Sequence, residues 1–274
     1  MSLLEAIVLG IVQGLTEFLP ISSTAHLRIV PAMVGWDDPG AAFTAVTQLG
    51  TMAAVLLYFR RDIWRIARAW LVSLVRQEER RSLDARLGWY ILIGTIPIGV
   101  FGLAFKDQIE NGARNLYVIG VAMVVLGLVL LLAERVARHD RPLEAITRRD
   151  GLLVGCSQAA ALVPGVSRSG ATITAGLFVG LEREAAARFS FLLSVPAVVL
   201  SGLFQLGEIG TGSAEGSTGA VALVVATITA FAVGYAAIAF LLRYLASHST
   251  LVFVVYRVAV GLLVLALAGA GVIE

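Results

Sequence analysis

The sequence predicts an all-α polytopic membrane protein, and three observations support this fold class: the composition, the length of the apolar stretches and the placement of arginine. The 274-residue chain is 58% hydrophobic and 15% charged, with a mean hydropathy of +0.87. Soluble domains contain about 25% charged residues, and a water-soluble fold of this size could not bury so much apolar surface. The chain is therefore best counted in bilayer spans of about 20 residues each.

Six apolar stretches are long enough to cross a bilayer and predict spanning helices. They cover residues 41–59, 87–105, 115–133, 189–206, 220–242 and 251–272. Five of them carry no charged residue, and the last contains Arg257.

Two further apolar segments, 3–30 and 151–181, are interrupted near their middles. The interruptions are Leu19-Pro20-Ile21-Ser22-Ser23 and Pro164-Gly165-Val166-Ser167-Arg168-Ser169-Gly170. Proline and glycine end helices, so each segment predicts two helical pieces joined by a loop. The start of the chain has Glu5 where a cleavable targeting segment would have basic residues, so we expect the first segment to stay in the mature protein.

Arginine placement predicts the topology. Residues 60–86 hold eight arginines and residues 134–150 hold five, so both loops are expected in the cytoplasm, whereas 207–219 has neither Lys nor Arg and is expected outside. Segment 151–181 then begins and ends in the cytoplasm, which a re-entrant hairpin can do and a single crossing cannot. By the same parity, segment 3–30 is re-entrant with both termini outside. The alternative is that 3–30 crosses once from inside.

An internal repeat favours the re-entrant interpretation. The stretch from Gln13 to Thr24 aligns without gaps to the stretch from Gln158 to Ser169, with identities at Gln13/Gln158 and Ser22/Ser167. We expect one membrane domain, 1–274, whose halves 1–133 and 151–274 form an inverted-topology repeat joined by the loop 134–150. In such repeats, broken helices meet near the membrane midplane.

Glu17 is the first candidate functional residue, because a carboxylate within an apolar helix requires a polar cavity, a cation or a proton. Gln13 lies four residues earlier on the same helical face, so the two side chains predict a site for one divalent metal ion. The structural alternatives are a protonated Glu17 bonded to a neighbouring helix and a Gln13 that makes interhelical hydrogen bonds.

The first loop also brings hydroxyl groups close to a histidine. Ser22, Ser23 and Thr24 begin the helix that follows Pro20. Ser22 and Thr24 are expected to bind substrate, and the simpler alternative is that they cap the free N–H groups of this helix. His26 shares a helical face with Ser23 and could act as base, acid or nucleophile toward phosphorus.

The second loop predicts an anion-binding site. Arg168 requires an anion if it is buried, and a phosphate meets the two arms of a guanidinium at once. Gly165 and Gly170 permit close backbone approach, and a helix N-terminus favours anions. The polar residues around it that are expected to bind substrate are Ser167, Ser169 and Thr172. The alternative is an ion pair between Arg168 and Glu17 without a ligand.

Together these two segments resemble the signature pair of the undecaprenyl-diphosphate phosphatase family. The matching residues are Gln13-Gly14-Leu15-Thr16-Glu17-Phe18-Leu19-Pro20-Ile21-Ser22-Ser23-Thr24-Ala25-His26 and Pro164-Gly165-Val166-Ser167-Arg168-Ser169-Gly170-Ala171-Thr172, and the similarity extends to Gln48-Leu49-Gly50 and Phe189-Ser190-Phe191. The resemblance implies hydrolysis of undecaprenyl diphosphate to the monophosphate with a divalent cation, Mg²⁺ or Ca²⁺, and resistance to bacitracin.

Carried over by residue, the resemblance makes Glu17 the essential carboxylate of an E/Q-x-x-x-E motif in which Gln13 holds the variable position. Ser23, His26, Ser167, Arg168 and Thr172 match its remaining polar positions. Whether Ser23, His26 or a water attacks phosphorus stays open at this point.

The resemblance also implies a setting and partners. We expect a bacterial plasma (inner) membrane, a site near the midplane that opens to the extracytoplasmic side, membrane lipid around the chain, and bacitracin as a competitor for the substrate. A homodimer is one oligomeric state to test. A net charge of +2 spread over short loops argues against nucleic acid as a partner.

Two other classes of protein share some of these features. Inverted repeats with broken helices also occur in transporters, so a transporter or flippase for an anionic polyprenyl lipid is the alternative function. Lipid phosphatases of the phosphatidic-acid type need a Lys and Arg cluster and two spaced catalytic histidines. Lys106 is the only lysine, and no histidine follows Arg168 until His248, so that class does not fit.

Overall fold

The computed structural model describes residues 1–105, 115–210 and 219–273, and over these ranges the chain is helical with no strand. The α-helices are α1 (Leu3–Phe18), α2 (Ser23–Val34), α3 (Gly40–Tyr58), α4 (Arg60–Val75), α5 (Leu83–Ala104), α6 (Leu116–Val136), α7 (Arg148–Ser157), α8 (Arg168–Phe178), α9 (Arg183–Gly210), α10 (Ala220–Leu245) and α11 (Leu251–Gly269). Short 3₁₀ helices cover Gln77–Arg81, Leu143–Ala145 and Gln158–Leu162. The predicted all-α class is confirmed.

Four helices in the described ranges are long and apolar enough to cross a membrane: α5, α6, α10 and α11. A fifth span results if α3 and α4 are counted together, although they are bent by 73° at Phe59. The predicted spans 41–59 and 189–206 lie in α3 and α9, which are not among the four. A multi-pass membrane protein is therefore supported, and the count of six stays a prediction.

Both interrupted segments are broken where the sequence predicts a break. Helix α1 ends at Phe18 and α2 begins at Ser23, while α7 and the 3₁₀ helix that follows it end at Leu162 and α8 begins at Arg168. Part of the loop predicted outside, residues 211–218, is not among the described residues.

Close packing of small residues holds α1 against α10. Gly10 and Gly14 of α1 face Ala226, Ala230 and Gly234 of α10, which are also spaced by four residues. A Cβ atom on Gly14 would lie 2.8 Å from the carbonyl oxygen of Ala230. This small-residue pattern lets two membrane helices approach closely, and it fixes the helix that carries Glu17.

A charged cluster fixes the connection between α6 and α7. Arg141 donates to the Asp150 carboxylate over 2.6 Å, and Thr147 and Asp150 form a capping box at the start of α7. Burial raises the pKa of Asp150, but hydrogen bonds from Arg141 and Thr147 and the Arg141 charge outweigh it, so the pKa lies below its ordinary value. The carboxylate form is therefore favoured by the fold.

Candidate active site

The two loops that interrupt the broken segments share one local conformation. Ser22 and Ser167 both have positive φ angles, 76° and 70°, and each is the N-cap of the helix that follows. Each hydroxyl accepts from the amide three residues later, at 3.4 Å for Ala25 and 3.1 Å for Gly170. The repeat alignment paired these two serines, and here they have equivalent roles.

The loops lie directly against each other. The Ser169 hydroxyl, at the start of α8, lies 3.2 Å from the carbonyl oxygen of Leu19, at the end of α1, and 3.1 Å from the Ser167 hydroxyl. Residues about 150 positions apart in the chain therefore form one polar region.

Glu17 is the centre of that region, because three side chains donate to its carboxylate. Arg168 donates to Oε1 over 2.5 Å, Ser23 donates to Oε2 over 2.6 Å, and Gln13 donates to Oε2 over 3.3 Å. The side chains of Glu17 and Arg168 are only 10% and 17% exposed. Four of the predicted site residues thus form one cluster.

The ion pair between Glu17 and Arg168 is the alternative that the sequence left open, and it is present in the structure. A buried guanidinium requires an acceptor, and in this form the carboxylate supplies it. A phosphate offers the same guanidinium two oxygens, so a phosphate and Glu17 would compete for Arg168.

His26 makes its ring hydrogen bonds away from this cluster. Its Nδ1 lies 2.7 Å from the carbonyl oxygen of Ser22, and its Nε2 lies 2.8 Å from the hydroxyl of Tyr256 in α11. Because a carbonyl can only accept, Nδ1 carries the proton, and in the neutral ring Nε2 accepts from Tyr256. Sequence reasoning missed Tyr256, which lies 230 positions from its partner.

Arg257 is the second residue that sequence reasoning missed. It is 0% exposed, and its guanidinium donates to backbone carbonyl oxygens of both loops and of α6. The sequence signal was present, since a lone arginine within an apolar span calls for a functional explanation. The sequence did not indicate which groups Arg257 bonds.

The remaining predicted residues line the loops in less direct ways. Thr24 is exposed and lies 3.2 Å from the Ser22 hydroxyl, and Thr172 lies 2.5 Å from the hydroxyl of Ser190 in α9. Gly165 has a φ of +89°, and a Cβ there would lie 2.6 Å from the carbonyl oxygen of Ile119. Gly170 donates its amide to Ser167, as described above. Substrate binding by these residues stays a prediction.

The residues at Glu17 fit a divalent cation that is shared with a ligand. The described residues contain no cluster of three or more His, Cys, Asp or Glu side chains suited to a metal ion. Gln13, however, is 1% exposed; its Nε2 donates to the Glu17 carboxylate, and its Oε1 has no hydrogen-bond partner. The Glu17 carboxylate and Gln13 Oε1 are too few to complete the coordination sphere of a metal ion by themselves. Mg²⁺, however, is commonly bound by one or two protein groups together with substrate phosphates.

A small pocket opens beside the ion pair. Its lining includes the polar residues Glu17, Arg168 and Ser190 and the apolar residues Met52 and Phe191.

The fold and this cluster define a class: a polytopic helical membrane protein with a charged, hydroxyl-containing site where two broken helices meet. Comparison with known proteins gives the family. Residues 6–263 match the family described as bacitracin resistance protein BacA, and the chain belongs to that family.

Relatives that align with nearly the whole chain share one name. A Myxococcus xanthus protein named undecaprenyl-diphosphatase is 58% identical over 99% of this chain and 91% of its own length. Proteins with the same name from Mycolicibacterium smegmatis and a Nocardioides species are 56% and 55% identical, over 100% and 98% of this chain and 99% and 98% of their own lengths.

Proposed function

We propose that this chain is an undecaprenyl-diphosphate phosphatase, which hydrolyses undecaprenyl diphosphate to undecaprenyl phosphate and inorganic phosphate for recycling of the cell-wall lipid carrier. The observation that carries the proposal is the cluster of Glu17, Ser23 and Arg168. It places a hydroxyl nucleophile and a phosphate-binding cation each within hydrogen-bond distance of one base, the Glu17 carboxylate. The name of the full-length relatives supports the same substrate.

Ser23 is the nucleophile that the geometry favours. A base must lie within about 2.6–3.2 Å of the group it deprotonates, and the Glu17 carboxylate lies 2.6 Å from the Ser23 hydroxyl. Both ring nitrogens of His26 already have hydrogen-bond partners: Nδ1 bonds the Ser22 carbonyl, and Nε2 bonds the Tyr256 hydroxyl. His26 therefore orients the start of α2 in this mechanism rather than attacking phosphorus.

The reaction proceeds in two balanced steps. Ser23 Oγ attacks the terminal phosphorus while Glu17 takes the hydroxyl proton, and the bond from that phosphorus to the bridging oxygen breaks, which releases undecaprenyl phosphate. Water then attacks the phosphorus of the phosphoserine, the bond from phosphorus to Ser23 Oγ breaks, Glu17 returns its proton to Oγ, and inorganic phosphate leaves as H₂PO₄⁻. Arg168 and the N–H groups at the start of α8 stabilise the charge on the transferred phosphoryl group.

Glu17 and Gln13 would hold a divalent cation, Mg²⁺ or Ca²⁺, together with the diphosphate oxygens. When bound, the ion neutralises charge on the diphosphate and on the leaving phosphate. The unpartnered Oε1 of Gln13 supports this role.

The finer architecture is also part of the proposal. Six spanning helices and two re-entrant hairpins, α1–α2 and α7–α8, would form an inverted-topology repeat with halves 1–133 and 151–274. Support comes from the equivalent conformations of Ser22 and Ser167 and from the arginines of the loops 60–86 and 134–150. Both termini and residues 207–219 would then lie outside the cell.

Cysteine labelling tests this topology. Cys156 is the single cysteine, so single cysteines in a Cys156→Ala background report each loop separately. An N-terminus that reacts only from the cytoplasm would remove the first re-entrant hairpin.

The setting follows from substrate and topology. We place the chain in the bacterial plasma (inner) membrane with its site near the midplane and open to the extracytoplasmic side. Undecaprenyl diphosphate would reach the site through the membrane lipid, and bacitracin would compete with the protein for this substrate. A homodimer is the oligomeric state to test, by cross-linking in membranes.

The direct test is phosphate release by the purified full-length chain in detergent from a polyprenyl diphosphate. Detergent removes any transport component, so release separates a phosphatase from a flippase. We expect Ser23→Ala to abolish release and wild type to yield a phosphorylated Ser23 on rapid quenching. The matched control is Ser73→Ala in α4, whose hydroxyl bonds to Trp70 O, away from the site, and which should keep full activity. Full turnover by Ser23→Ala would exclude the serine mechanism.

A further inference from the structure

Arg257 lies where the two loops meet, and its hydrogen bonds divide between them. Nη1 donates to the carbonyl oxygen of Pro20 over 3.0 Å, and Nη2 donates to that of Gly165 over 2.8 Å. Pro20 and Gly165 occupy aligned positions in the internal repeat. One planar guanidinium thus joins two carbonyl oxygens that occupy equivalent positions in the two halves of the internal repeat.

Two weaker bonds complete the donor set. Nη2 also reaches the carbonyl of Val166 over 3.2 Å, and Nε reaches that of Met123 in α6 over 3.3 Å. The residue is 0% exposed, and no ion pair joins it to a carboxylate among the described residues. All of its identified acceptors are neutral carbonyl oxygens, so its contacts fix backbone positions rather than balance a charge.

The carbonyls that Arg257 binds lie just ahead of the two serines whose backbone is strained. Pro20 is two residues before Ser22, and Gly165 is two residues before Ser167, the serines with positive φ that start α2 and α8. A backbone in this region holds only when its surroundings determine it. The hydrogen bonds from Arg257 supply that restraint to both loops at once.

We propose that Arg257 is a positioning residue that holds the two loops in register, so that Ser23 and Glu17 of the first loop region meet Arg168 of the second. A guanidinium is suited to this role because its donors point in fixed directions within one plane. A lysine ammonium keeps the charge but presents its donors from one atom on a shorter, flexible side chain. The proposal rests on the proposed phosphatase function for its kinetic readout only.

The kinetic test compares wild type, Arg257→Lys and Val255→Ala in detergent. Misplacing reacting groups by about 1 Å can cost roughly 10²-fold in rate, so we expect kcat of Arg257→Lys to fall by about that factor while KM changes little, because Arg168 still binds the diphosphate. Val255→Ala changes a nearby α11 residue that is 67% exposed and should keep the wild-type loop distance.

The structural readout does not depend on activity. Spin labels at Leu15 and Val163, which are 41% and 47% exposed and flank the two loops, are introduced in the Cys156→Ala background, and the distance distribution is measured by pulsed electron paramagnetic resonance. We expect one narrow distribution in the wild-type background and in Val255→Ala, and a broader one in Arg257→Lys. Should Arg257→Lys not fold, Arg257→Gln is measured in its place.

The outcomes separate the two proposals. If wild type releases no phosphate but its narrow distance distribution broadens in the Arg257 variant, the phosphatase function is overturned and the positioning role of Arg257 is supported. An unchanged distance distribution in the Arg257 variant, or wild-type kcat in Arg257→Lys, would overturn the positioning role.

Discussion

Replacing Glu17 with glutamine removes one charge at the centre of the site while keeping the shape of the side chain. Arg168 donates to one carboxylate oxygen, and Ser23 and Gln13 donate to the other. An amide has only one oxygen, so its NH₂ group must face either Arg168 or the other two donors. Whichever orientation it takes, at least one donor loses its acceptor.

The magnitude follows from what each orientation loses. If the amide oxygen turns to Arg168, the Ser23 proton has no acceptor, and loss of a general base costs about 10²- to 10⁴-fold in rate. If it turns to Ser23, an amide is still far too weak a base, and the buried guanidinium is left without a charged partner, at roughly 1.5–3 kcal/mol for a hydrogen bond to a charged group. Turnover is therefore expected to fall by at least about 10²-fold, or about 2.7 kcal/mol in activation free energy.

The assay is release of inorganic phosphate from a polyprenyl diphosphate at saturating substrate, together with thermal melting in the same detergent. Gln13→Glu is the matched control, since it adds a carboxylate to the same helical face and should keep or raise turnover by strengthening cation binding. Normal turnover by a folded Glu17→Gln protein would refute both the base and the metal role of Glu17.

Three further predictions test other parts of the molecule. Arg168→Lys should fold but lose about 10²- to 10³-fold in turnover, because one preorganised donor to developing charge is lost; near-normal turnover would favour a purely structural ion pair. Gly14→Ala should lower the melting temperature, since overpacking costs about 1–3 kcal/mol, whereas Gly99→Ala, with no atom within 4 Å of the added Cβ, should not. Asp150→Asn should destabilise the chain at neutral pH. Because the folded pKa of Asp150 is lowered, its contribution is present above the ordinary value of 3.8 and is lost as the pH falls through the folded pKa, so melting curves of wild type and variant should converge in acid.

The position of the site could be predicted because its signals are local. Proline, glycine and serine interrupt two apolar segments, and the breaks lie where those residues predict them. Glu17 and Gln13 are four residues apart on one helix, and their contact follows from helical spacing. The hydrogen bond from Ser23 to Glu17 spans only six residues across the first loop.

The contacts that sequence reasoning missed are long-range. Tyr256 reaches His26 and Arg257 reaches Pro20 across more than 200 residues, and no periodicity specifies which helix faces which loop. The 73° bend between α3 and α4 was also missed, because the chain remains helical on both sides of Phe59 and the residues there include neither glycine nor proline. Helix packing, rather than local sequence, determines these features.

The ion pair of Glu17 with Arg168 and the proposed reaction use the same groups. Glu17 accepts from the guanidinium of Arg168, and Ser23 donates to the same carboxylate. A diphosphate brings a stronger, bidentate acceptor for Arg168, so its binding would release Oε1 of Glu17 and leave the carboxylate bonded to the hydroxyl it must deprotonate. In the proposed mechanism Glu17 would thus hold the position of the substrate anion at Arg168, and it would act as a base only once the diphosphate has taken that position.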